Sequence, residues 1–257
     1  MSSDFSITNI HEHINVDDYL KVIKTAKHNG YKYINYADYE KYDKFIIMRH
    51  DIDLDLHYAL KMAQIEHEND VQSTFFVMLR NPLYNPLAIE HVQIISDMQR
   101  MGHTIGLHFD PTFYQGDNTI EFNVLLELIK AEIEILSSIA NQKVYFVSFH
   151  QPVENLLGRD VIMDGVFEST YNKKYFNDIR YIADSCGRWR EESILELIEK
   201  NTTQKIQFLS HPALWFDREA LVLRDRISCV LENRKARLEK ECRRTINNYT
   251  QGVILYE

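Results

Sequence analysis

The sequence is short of the residues that punctuate or staple a chain, with 8 glycines, 5 prolines and 3 cysteines in 257 residues. So few breakers, with no repeat and no low-complexity stretch, leave no visible linker, and the chain reads as a single domain over residues 1–257. That length is ample for one large α/β core. Cys186, Cys229 and Cys242 are odd in number and far apart. They do not read as a disulfide framework or a zinc-knuckle set, and they fit reduced thiols. No apolar run approaches the roughly 20 residues of a membrane span, and the N-terminus has no basic stretch leading into an apolar one. A cytoplasmic location is the expectation. Positive charge is also scarce: 29 Lys and Arg against 38 Asp and Glu give a net charge of −9. No nucleic-acid partner is therefore expected.

What the chain does have is a series of short apolar runs, each followed by a longer segment of helical period. "KFIIM", "QSTFFVML", "HTIGLHFD", "KVYFVSFH", "IRYIADS" and "KIQFLSH" read as strands. "YALKMAQIEHE", "LAIEHVQIISDMQRMG" and "EFNVLLELIKAEIEILSSIA" read as helices, the second closed by Gly102. Alternation of this kind calls for parallel strands with helical crossovers, in a barrel or an open sheet. A helical lead-in is expected over 1–44 and a charged helix over 217–248. The charge of that helix reads as a solvated face, with Ile227, Val230, Leu231 and Leu238 available to dock it.

The strands end alike, in "RHDID", "GLHFD", "SFHQP", "LSHP" and "ADS". One His or Asp at a strand end is an ordinary cap or turn residue. Five such ends on a parallel sheet gather where α/β folds place ligands and catalytic groups. Strand alternation then sorts the residues. Arg49, Asp51 and Asp53 point together and His50 points away; His108 shares a face with Asp110 and lies opposite His103. The inward set is Asp51, Asp53 and His108, leaving His50 and His103 for packing or support. Asp55 reads as a helix-start acid. Carboxylate and imidazole suit a divalent metal such as zinc, and a second carboxylate beside it could serve as a base.

From about Phe45 to Trp215 these pieces resemble, in order, the motifs of the polysaccharide deacetylase family (carbohydrate esterase family four). "RHDID", "MGHTIGLHFD", "FHQP", "ADSCGRW" and "LSHPALW" stand in the places of its five motifs. The resemblance implies a distorted (β/α)7 barrel that removes acetyl groups from N-acetylated sugars with a divalent metal, most simply Zn2+. It also implies Asp51 as catalytic base, His211 as catalytic acid, and Asp53 and His108 as metal ligands. Asp184 would support His211, and Trp189 would line the substrate groove. This chain departs from the pattern twice: Thr112 stands where the second metal histidine belongs, and His150 where an arginine belongs. His150 is the expected third ligand, with Asp110 a further candidate, and Arg188 could replace the missing arginine's charge. A cytoplasmic enzyme of this kind would act on a nucleotide- or lipid-linked N-acetyl sugar, as in lipopolysaccharide or capsule biosynthesis. Two alternatives stay open: a metal hydrolase of a small non-sugar amide or imide, and a non-catalytic carbohydrate-binding barrel. Tyr171, Tyr175, Trp189 and Trp215 near the site lean toward sugar stacking.

Overall fold

Eight strands pair in parallel in the computed structural model, which describes residues 14–115, 120–151, 156, 159–216 and 222–253. In chain order the elements are α1 (Val16–His28), β1 (Lys32–Ile34), β2 (Phe45–Ile52), α2 (Leu56–Glu68), β3 (Thr74–Val77), α3 (Ile89–Arg100), β4 (Thr104–Phe109) and α4 (Thr112–Gln115). There follow α5 (Phe122–Ala140), β5 (Phe146–Phe149), β6 (Ile162–Met163), β7 (Phe167–Ser169), β8 (Arg180–Ala183), α6 (Ile194–Lys200), β9 (Lys205–Ser210) and α7 (Leu223–Val253). The sheet runs β6-β7-β5-β4-β3-β2-β9-β8, with β1 paired to β2 and β6 antiparallel to β7. The (β/α)7 expectation is thus met by β7, β5, β4, β3, β2, β9 and β8, curled into a barrel whose path ends at β6 and β8.

The expected lead-in over 1–44 is only partly helical: it holds α1 and then β1, and residues 1–13 lie outside the described residues. The charged helix likewise begins at Leu223, with 217–221 outside them. Local residues set one helix start and one helix end. Asp55 accepts from the backbone N–H of His57 and so caps α2, while Gly102, at φ +93, turns the chain out of α3.

Alternation gives the strands two different faces. Ile46, Met48 and Ile52 of β2 join the large core beneath the helices, whereas Phe45 and Ile47 meet Ile34, Tyr36, Phe76, Phe146 and Tyr175 inside the curl. Gly106 of β4 lies on that inner face. A Cβ there would come within 2.4 Å of the Phe76 ring, so only glycine lets the ring fill the space. The inner face is aromatic toward the strand starts and polar toward their carboxyl ends, where Arg49, Asp51, His108 and Ser148 follow. An apolar plug below a polar layer opens the site at one end only.

On the helix side, His50 and His103 both turn to Glu66 of α2, as their faces demand. His50 Nε2 lies 2.8 Å from Glu66 Oε1, which also accepts from the Tyr19 hydroxyl at 2.5 Å. Ser73 donates to Glu66 Oε2 at 2.6 Å, and His103 Nδ1 stands 3.0 Å from Ser73 Oγ. Burial would raise the Glu66 pKa, but His50, His103 and the Ser73 hydroxyl outweigh it and hold the carboxyl below its ordinary value. This network anchors the back of β2 directly behind Asp51.

Candidate active site

Arg49 is the residue on which the site is built. Its guanidinium is fully buried and forks onto Asp51, with Nε 3.0 Å from Oδ1 and Nη2 2.7 Å from Oδ2. It donates to the Tyr171 hydroxyl at 3.2 Å and lies 4.8 Å from the centre of that ring. Burial alone would raise the pKa of Asp51; Arg49, then His108 and His211, reverse this and hold it below the ordinary carboxylate value. Asp51 is therefore ionised at neutral pH and fixed by two parallel hydrogen bonds.

Asp53 follows β2 at the bend before α2, on Asp51's face. Asn81, in the loop after β3, donates to the Asp53 carbonyl at 2.9 Å and pins that bend. His108 ends β4; its Nδ1 is 2.6 Å from Ser148 Oγ, and Ser148 donates in turn to Asp51 Oδ1 at 3.2 Å. Ser148 therefore accepts from Nδ1–H, which leaves His108 Nε2 to face Asp53 Oδ1, 3.0 Å away. His150, one residue past β5, brings Nδ1 to 3.3 Å from the same oxygen.

Asp53, His108 and His150 each offer one ligand atom, and the three atoms lie within 4.8 Å of one another. Donors about 2.0–2.2 Å from a single zinc ion lie roughly 3–4 Å apart, so the set fits a shared cation. A second observation agrees: among the described residues, buried Asp53 Oδ1 and His150 Nδ1 make no well-formed hydrogen bond and face only the other ligand atoms of this set. Asp110 is placed elsewhere. Its Oδ1 accepts from the backbone N–H and the hydroxyl of Thr112, at 2.9 and 2.6 Å, so it closes a local turn.

His211, just after β9, faces the site from the other side, with Nε2 3.6 Å from Asp53 Oδ2. Its Nδ1 lies 2.6 Å from Oδ1 of the fully buried Asp184, which also accepts from the His211 backbone N–H and from Trp215 Nε1 at 2.6 Å. Pro212 starts a tight turn over Pro212–Leu214 that brings Trp215 back onto Asp184. Burial would lower the His211 pKa, but Asp184 by charge and hydrogen bond, with Asp53 and Asp51, raises it to about 10. At neutral pH the ring carries a proton on Nε2 aimed into the site.

Removing this support should move that proton. In metal-free protein the raised His211 pKa contributes stability that is fully present below the unfolded value of 6.5 and is lost as pH rises through about 10. Asp184→Asn should weaken this dependence, since Asp53 and Asp51 alone would still raise the pKa, and shift the alkaline limb of activity to lower pH. Unchanged profiles of unfolding and activity against pH would show that Asp184 does not set the His211 proton.

Three expectations need correcting. Arg188 is exposed and does not supply the missing arginine's charge; Arg49, two residues before Asp51 on its own strand, does. Trp189 does not line a groove, because it is 3% exposed and packs on Phe208 and Trp215 in the helix-side core. Tyr175 and Trp215 are buried as well, so of the four aromatics only Tyr171 borders the site. Pro152, the end of "FHQP", lies outside the described residues. The sequence reading missed the role of Arg49, although alternation had placed it beside Asp51, and it missed Ser148 altogether.

No protein-family model and no curated protein matches the sequence. Solved structures do resemble the fold. A pseudoenzyme of carbohydrate esterase family four from Bacillus anthracis matches 74% of this chain at 14% identity and a TM-score of 0.45, and the match spans 62% of that protein's length. A family 4 carbohydrate esterase from Bacillus anthracis matches 83% of this chain and 84% of its own, at 16% identity and a TM-score of 0.43. A family 4 acetyl xylan esterase from Clostridium thermocellum, in complex with a cobalt ion, matches 75% of this chain and 84% of its own, at 15% identity and a TM-score of 0.39. Resemblance at these identities and TM-scores leaves the function to be settled by the side chains.

Proposed function

We propose that this chain is a divalent-metal-dependent hydrolase that removes an acetyl group from an N-acetylated sugar. The observation that carries the reading is one small volume holding three convergent ligand atoms, an ionised carboxylate and a protonated imidazole. Asp53, His108 and His150 would hold the metal, and their oxygen and nitrogen donors suit zinc. A divalent cation bound there supplies Lewis acidity toward an acyl oxygen and lowers the pKa of water. Asp51, held by Arg49, takes the proton of the attacking water. As the water oxygen bonds to the acetamide carbon, the C–N bond breaks and His211 delivers its Nε2 proton to the departing amine. Acetic acid and a free amine result; the proton gained by Asp51 returns through solvent to His211, and the acid ionises to acetate with release of its proton.

The sugar rests on the motif order, and a nucleotide- or lipid-linked N-acetyl sugar of surface glycan synthesis, such as lipopolysaccharide, is the substrate we favour. A small amide or imide is the second reading, favoured by the burial of Tyr175, Trp189 and Trp215, which removes three platforms for a sugar ring. Among the described residues no helix is long and apolar enough to cross a membrane.

Metal analysis tests the ligand set. His150→Ala should lower metal affinity by more than the roughly 10–100-fold that loss of an outer hydrogen-bond partner costs. Full occupancy in that variant would leave His150 no part in holding the metal.

A further inference from the structure

Helix α7 has a charge balance opposite to that of the whole chain. The chain carries −9, yet between Leu223 and Val253 eight Arg and Lys residues face four acidic ones, a net +4. The inner side of the helix is accounted for. Val230 is buried against Tyr58 and Ala213, Arg226 reaches the Ile14 carbonyl, Asn233 donates to the Tyr58 hydroxyl at 2.8 Å, and Arg237 pairs with Asp55. These positions recur every three or four residues, as one helical face must.

One position further on runs a second stripe of the same period: Leu231, Lys235, Leu238, Cys242 and Ile246. Leu231 is 50% exposed and Leu238 55%, so neither docks the helix, against the expectation from sequence. With Pro82 and Leu83 the stripe lines a shallow groove of about 690 Å³, bordered by Arg234, Arg243 and one acidic residue, Glu239. The loop that supplies Pro82 and Leu83 also carries Leu87 and leads to Ile89, at 63% and 88% exposure. A second copy seated there would press Lys235 into an apolar seam, and the three basic residues of the groove would meet only one acidic partner, Glu239, on the facing copy. An anionic lipid surface answers the same pattern: leucines enter the acyl boundary while the basic side chains reach out to phosphates.

We infer that the outer face of α7 docks this protein on an anionic lipid bilayer, lying on it and not spanning it. The acidic remainder of the chain is repelled by such a surface, so the helix faces it. Both groove walls join the strand-end loop of the site, through Arg237 on Asp55 and through Asn81 on the Asp53 carbonyl. The bilayer would then lie on that side of the molecule. The inference stands apart from the catalytic reading, and vesicle binding is measured without turnover.

Full-length protein is sedimented with vesicles of phosphatidylcholine alone and of phosphatidylcholine mixed with phosphatidylglycerol. Wild type should pellet with the anionic vesicles only, and added salt should release it. Leu231→Ser/Leu238→Ser should lose more than about tenfold in partitioning, since each change withdraws a leucine side chain from the acyl boundary. Arg234→Gln/Arg243→Gln should lose about fivefold per residue. All four positions are solvent-facing or border the groove, so both variants should fold. Wild type remaining in the supernatant with anionic vesicles would overturn the inference, as would a leucine double variant that pellets like wild type. A wild-type dimer in sedimentation equilibrium that the leucine variant loses would seat a second copy on this face and overturn it too.

Discussion

Asp51→Asn should lower kcat by about 10²–10⁴-fold, the range that general-base catalysis supplies, while metal content stays at the wild-type level. Asp51 is separate from the Asp53, His108 and His150 set, and its oxygens are spoken for by Arg49 and Ser148. The amide keeps the shape and one acceptor, so the pocket and the Arg49 anchor survive in part, but the proton acceptor is gone. Alanine at this position would do more damage to folding, because it leaves a fully buried guanidinium unpaired. Retained turnover in the asparagine variant would remove Asp51 from the role of base and shift it to Asp53. Loss of metal together with activity would place Asp51 among the ligands instead.

Arg49→Met should destabilise the protein by about 3–5 kcal/mol at neutral pH, the cost of breaking one side of a buried ion pair. Methionine fills much of the arginine's volume among Phe76 and Tyr171, so the effect reads the lost charge more than a cavity. The sign with pH is specific. In wild type Arg49 holds the Asp51 pKa below its ordinary value of 3.8, so the pair contributes stability above that value, lost as pH falls through the folded pKa. In the variant the largest lowering influence is gone and burial pushes the Asp51 pKa up from its wild-type position, so the stability lost with Arg49 is greatest at neutral pH and shrinks as acid protonates Asp51. Chemical denaturation across the acid range checks this. A destabilisation that stays constant from neutral pH into acid would mean that Arg49 acts by packing alone.

Much of the site was legible because strands alternate. That single rule separated Asp51, Asp53 and His108 from His50 and His103, and the structure puts the two groups on opposite faces, the second on Glu66. It also places Arg49 beside Asp51, whereas the motif order alone points to the more distant Arg188 as the charge partner. An arginine two residues before a buried base on the same strand needs no tertiary knowledge to find. Ser148 did need it: its bond to His108 depends on the β4–β5 register, in which the two residues stand side by side. Trp189 and Trp215 could not be assigned from composition, since an aromatic after a strand serves a core or a groove equally well until burial decides. Leu231 and Leu238 shared the helical period of the docking face and missed it by one position; only the anchoring of Val230, Asn233 and Arg237 fixes which stripe turns inward.

The most direct test of the central claim is acetate release from N-acetyl sugars, presented free, nucleotide-linked and lipid-linked, before and after a chelator strips the protein. The account predicts acetate in equal amount to the free amine formed, loss of release on chelation, and recovery when zinc is returned. A protein that binds metal and releases no acetate from any of these, or one that releases it equally with the metal removed, would contradict it.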